Sequence, residues 1–143
     1  MVRVRPCPTP HGHGSAGIVR PCPFCIAPAH RIVGETRLAA AITDGFPVSP
    51  GHTLIIPRRH VASFFETTSA EREDMLRLLD EAKARLDAER RPDACNIGIN
   101  DGPAAGRTVA RVQIHLIPRY AGDGRDQRGG VRWVLPEKAN YWP

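Results

Sequence analysis

Between residues 110 and 116 the chain alternates. Ala110, Val112, Ile114 and Leu116 are apolar, and Arg111, Gln113 and His115 fall between them. A period of two predicts a strand with one packed face and one wet face. The wet face would carry a guanidinium, an amide and an imidazole in a row, a set that suits an anionic ligand such as phosphate. Earlier apolar runs predict more strands. Residues 38–43 are short, apolar and alanine-rich, and Asp44-Gly45-Phe46-Pro47 breaks them. Thr53-Leu54-Ile55-Ile56 follows the turn at Pro50-Gly51 and is closed by Pro57. Residues 95–99 give a third run, followed by a tight polar loop at residues 100–106. One helix is clear. Thr68-Ser69-Ala70-Glu71 is a capping box, and the helix it opens runs to about residue 90. Met75, Leu79, Ala82 and Leu86 share one face at helical spacing, while Glu73, Asp80, Lys83 and Arg90 make a solvated one. Pro92 ends it. Strands around a single helix predict an α+β chain with an antiparallel sheet.

Length and composition narrow this picture. At 143 residues the chain suits one domain, large enough to bury a core without disulfides. No run of eighteen apolar residues exists, so no membrane span is expected. Residues 1–20 are rich in Arg, Pro and Gly, lack the apolar block of a secretory signal, and read as a flexible tail ahead of a domain at 21–143. His11 and His13 lie in that tail and are read as part of it, with metal binding as the alternative. The net charge of +5 favours anionic partners, but it is scattered, and aromatic residues make up only 6%. That balance points to a phosphate-bearing small molecule and away from a nucleic acid. Of the four cysteines, Cys95 sits in an apolar run and reads as a small buried hydrophobe. Cys22-Pro23-Phe24-Cys25 has the spacing of metal or redox chemistry in a cytoplasmic protein, with two reduced thiols as the plain alternative.

Four segments in order resemble the histidine triad (HIT) family, in its bacterial branch. They are Cys22-Pro23-Phe24-Cys25, the stretch from Asp44 through Pro50-Gly51-His52 to Pro57-Arg58-Arg59-His60, the stretch from Asn96 through Asn100-Asp101-Gly102 to Gly106, and the alternating strand through Pro118-Arg119. The segment Arg128-Gly129-Gly130-Val131-Arg132-Trp133-Val134 is similar as well. The resemblance implies an antiparallel sheet of about five strands with helices on one side, a homodimer, and a pocket for a nucleoside phosphate. It implies hydrolysis or transfer of nucleoside monophosphate groups through attack by the middle histidine of His-x-His-x-His. Here the two apolar residues and Pro118-Arg119 fix the register. His115 takes the third triad position, Gln113 the nucleophile position and Arg111 the first. An amide nitrogen is a very poor nucleophile, so the covalent route is closed at residue 113, although Gln113 still donates and accepts hydrogen bonds.

By the same resemblance Asp44 would bind ribose hydroxyls, and Phe24 and Ile42 would flank the base. Asn100, Gly106 and Thr108 would lie at the phosphates, with Arg107 and Arg111 as added cations there. His52 reads as a brace for its loop. Cys22, Cys25 and His60 match three zinc ligands of bacterial relatives. Arg111 replaces the fourth and cannot ligate, which leaves His30 or Cys7 to complete a set; the expectation is that no cofactor is required, with zinc possible but its fourth ligand missing. The functional expectation is a nucleotide-binding, HIT-type hydrolase or transferase scaffold with a changed, non-covalent mechanism. The alternative is an inactive protein that binds a mononucleotide such as AMP.

Overall fold

The computed structural model describes residues 22–143. The expectation of a tail at 1–20, and the candidates Cys7, His11 and His13, lie outside these residues. Among the described residues five strands form one antiparallel sheet: β1 (Ile32–Glu35), β2 (Ala39–Thr43), β3 (Thr53–Pro57), β4 (Ala94–Gly98) and β5 (Ile114–Arg119), in the spatial order β1-β2-β3-β5-β4. Helix α1 (Ser69–Arg90) crosses one face, and a short helix α2 (Pro136–Ala139) closes the chain. The α+β expectation and the five-stranded count are met.

Local chemistry explains the placement of α1. The Thr68 hydroxyl accepts from Glu71 N–H, and the Glu71 carboxylate accepts from Thr68 N–H, so the predicted capping box is formed. Arg91 ends the helix in the left-handed region. Met75, Leu78, Ala82 and Leu86 are buried against Ala39, Ala41, Ile55, Ile114 and Leu116. Leu78 takes the central place expected of Leu79, which packs only at the margin. A second cluster, Phe24, Ala40, Ile42, Leu54 and Ile56, lies on the opposite face of the sheet.

Strand β5 begins later than the alternation predicts. Residues 110–113 do not join the sheet: Arg111 N–H donates to Val109 O, and Val112 N–H donates to Val61 O. The chain therefore kinks into the sheet at Ile114. Arg111 ends only 1% exposed, although it borders the same cavity as Gln113 and His115. The three polar side chains do not form one wet row. Strand β1 was not foreseen. It contains Gly34, and its pairing with β2 is irregular between Ile32 and Gly34, so it gives no clean two-residue period.

Candidate nucleotide-phosphate site

The sheet face away from α1 carries a cavity of about 380 Å³, a size within the usual range for small-molecule sites. Asp44, Asn100, Gly106, Arg107, Thr108, Gln113 and His115 all line it, with Phe24 and Leu54 as apolar wall. Residues from four separated stretches thus meet in one place. Asp44 sits just past β2, where its carboxylate Oδ1 accepts from Phe46 N–H at 2.8 Å, a turn typical of Asp before Gly. Gly106 adopts φ +94°, a conformation that side-chain-bearing residues rarely take, which accounts for glycine at this bend. Arg107 lines the cavity while one guanidinium N–H donates to Ala62 O at 2.8 Å.

Two of the expected residues sit deeper in the fold than the sequence suggests. Ile42 is 1% exposed and packs behind Leu54, so Leu54 presents the apolar wall in its place. Arg111 lines the cavity, but its guanidinium is engaged inside the fold. Nη1 donates to Cys25 Sγ at 2.8 Å, and Nη2 donates to Pro57 O at 2.6 Å and Arg58 O at 3.2 Å. It backs the cavity from inside the fold. Burial pushes its pKa down, against the opposing effect of Cys22.

The same guanidinium bears on the zinc expectation. Cys22, Cys25 and His60 do come together, with ligand atoms within 4.8 Å of one another. His60 Nδ1 lies 3.6 Å from Cys25 Sγ. Burial, and then the positive charge of Arg111, push the His60 pKa below its ordinary value. The place beside the sulfur that a fourth ligand would need is filled by a group with N–H donors and no lone pair. A tetrahedral structural zinc requires four lone-pair donors, and among the described residues this cluster offers three.

His52 has a larger place than a loop brace. Its Nδ1 lies 3.2 Å from Val48 N, its Nε2 lies 3.0 Å from His115 Nδ1, and Asp44 Oδ2 is 3.4 Å from the same Nε2. The two rings are 5.3 Å apart between centroids. Burial lowers the pKa of both histidines; for His52, Asp44 opposes that effect and His115 adds to it. The contact joins residues 63 apart in sequence, and no local signal predicts it. Arg31 was also missed. Its guanidinium donates twice to Thr43 O and lines the cavity beside Asp44. A second cavity of about 620 Å³ lies on the other side of His52 and His115, between β4 and the segment after β5.

Comparison with known proteins agrees with the fold. The family model for the HIT domain matches residues 28–122, which is most of the chain. The chain belongs to the HIT domain family. It is 38% identical over 108 residues to an uncharacterized HIT-like protein of Mycobacterium tuberculosis, covering 72% of this chain and 74% of the relative. It is also 38% identical over 89 residues to the asymmetrical bis(5'-nucleosyl)-tetraphosphatase of Schizosaccharomyces pombe, covering 62% of this chain but 49% of that protein. The match spans 62% of the length of an uncharacterized HIT-like protein of Mycoplasma genitalium, 34% identical and covering 62% of this chain. Among solved structures, a HIT family protein of Bacillus anthracis superposes with a TM-score of 0.62 at 29% identity, over 75% of this chain and 78% of that one. Among the described residues no helix is long and apolar enough to cross a membrane.

Proposed function

We propose that this chain binds the nucleoside monophosphate part of a phosphate-bearing small molecule on a HIT-type hydrolase or transferase scaffold whose nucleophile position is held by Gln113. The observation that carries the reading is the convergence of Asp44, Asn100, Gly106, Thr108, Gln113 and His115 on one 380 Å³ cavity. A carboxylate suits ribose hydroxyls, and a glycine bend beside a threonine suits phosphate oxygens. Arg107 and Arg31 supply cations at the cavity wall for phosphate, while the Arg111 guanidinium is engaged with backbone carbonyls. Any turnover takes a non-covalent route, with Gln113 orienting water and His115 supplying the remaining imidazole. Binding without turnover is the second reading, and it is favoured by the lack of an imidazole at residue 113. We further propose a cytoplasmic protein that dimerises through β4, an edge strand on which Ile97 is half-exposed.

The test combines two measurements. Full-length protein is titrated with AMP by calorimetry and incubated with adenosine phosphoramidate and a dinucleoside polyphosphate while AMP release is followed. Binding that weakens at least tenfold in Asp44→Ala supports the site. Turnover lost in His115→Ala supports the enzyme, and binding without turnover supports the second reading. A protein that neither binds AMP nor releases it would overturn both.

A further inference from the structure

Arg31 and Arg107 line the same cavity from opposite ends of β3. Arg107 donates to Ala62 O, beyond the last residue of that strand. Arg31 donates to Thr43 O through Nε at 3.1 Å and Nη2 at 2.7 Å. Thr43 pairs with Thr53, the first residue of β3. At about 3.3 Å per residue the strand between these anchors is about 13 Å long. Each guanidinium is held at its carbonyl, so the two are too far apart for one phosphate group to bridge.

The surroundings of Arg31 show what its end of the cavity suits. The point where a Cβ on Gly45 would stand is 3.4 Å from Nη2 and 3.5 Å from both Cζ and Nη1. Near-equal distances to three atoms of a planar group put the guanidinium face-on over this glycine. Two N–H bonds of Nη1 and one of Nη2 have no partner among the described residues. None of the ion pairs among the described residues includes Arg31. A fixed, uncompensated cation with free donors thus stands beside Asp44. The Asp44 carboxylate is partly occupied: Oδ1 accepts from Phe46 N–H at 2.8 Å, and Oδ2 lies 3.4 Å from His52 Nε2. It suits one ribose hydroxyl better than a pair. We propose that Arg31 and the Asp44-Gly45 turn form a subsite for a second phosphate, esterified to the 2′ or 3′ oxygen of the ribose, so that the preferred ligand carries phosphate at both ends of its sugar. Asp44 then holds the one free hydroxyl. The guanidinium fork matches two oxygens of the added phosphate and offsets its repulsion from Asp44.

This proposal deepens the nucleotide reading and rests on it for the placing of the ribose at Asp44. Full-length protein is titrated by calorimetry with AMP, ADP, adenosine 2′,5′-bisphosphate and adenosine 3′,5′-bisphosphate. ADP adds its charge at the 5′ end and so controls for charge alone. One bisphosphate is expected to bind about tenfold more tightly than AMP and ADP, the effect of a charge-assisted contact, and which one does so assigns the oxygen. In Arg31→Gln the preference should shrink to about twofold or less, whatever happens to AMP itself. Arg107→Gln should weaken AMP and the bisphosphate alike and leave their ratio unchanged. Bisphosphates that bind the native protein no more tightly than ADP would overturn the proposal. So would a preference that survives in Arg31→Gln. If the glutamine variant fails to fold, the native titrations decide alone. AMP binding with no bisphosphate preference sinks this subsite and leaves the nucleotide reading standing, whereas binding of none of the four ligands sinks both.

Discussion

Replacing Arg111 with methionine separates two opposing effects at the most buried cation of the fold. The guanidinium is 1% exposed and holds the carbonyls of Pro57 and Arg58 as well as Cys25 Sγ. Methionine fills similar volume but donates nothing. Two interior carbonyls lose a partner, at about 1–3 kcal/mol each. Against this, a desolvated cation is removed that has no carboxylate beside it among the described ion pairs, and its Nε is buried without a partner. The net expectation is a loss of about 2 kcal/mol, within the wide spread of such sums. Arg111→Ala adds a cavity and should lose about 4 kcal/mol. The assay is urea unfolding followed by far-ultraviolet circular dichroism, with the midpoint falling and the slope unchanged. A methionine variant as stable as the native chain, or more so, would refute the idea that the guanidinium braces the segment between β3 and β5.

Other outcomes follow from the same geometry. Arg111→His should let the reduced protein retain about one zinc per chain with Cys22, Cys25 and His60, as measured by metal analysis; a metal-free variant would mean the cluster is misaligned for tetrahedral ligation. Gln113→His should raise AMP release from adenosine phosphoramidate, and an unchanged rate would show that an imidazole there is not enough. Thr68→Ala removes one half of the capping box and should lower stability by about 1 kcal/mol in urea titration. Stability should also decline in acid. Burial pushes the Glu71 carboxyl up, but bonds from Arg59 and Thr68 outweigh it and hold the pKa below its usual value. Its contribution is thus present above the unfolded value of about 4.3 and is lost as pH falls through the folded one. His52, His60 and His115 have lowered values, so the unfolded chain takes up protons first and stability begins to fall below about pH 6.5. Unfolding midpoints between neutral and acid pH, with Glu71→Gln as a control whose deficit shrinks in acid, check the sign.

Much of this architecture could be read along the chain because the relevant signals are short-ranged. The capping box lies within four residues, and β2 and β3 are apolar runs stopped by glycine and proline turns. The residues lining the cavity were named from motifs, and most of them do meet. What escaped was set by distant partners. Alternation makes a polar residue point outward, yet Arg111 turns inward because residues 110–113 bond to Val61 and Val109 and not to the sheet. Period alone cannot reveal a guanidinium stacked under a cysteine from the other end of the domain. The His52–His115 bond depends on the register of β3 with β5, where Leu54 faces His115. Strand β1 was hidden by its glycine and its irregular pairing.

The strand that carries His115 lies between two strands that both precede it in the chain. β3 and β4 are not neighbours; β5 enters between them and pairs with both. Until residue 119 has left the ribosome, β3 lacks one partner and β4 lacks its only one. A chain stopped at residue 113 would therefore keep its helix but present raw sheet edges, and it should aggregate where the full domain stays in solution.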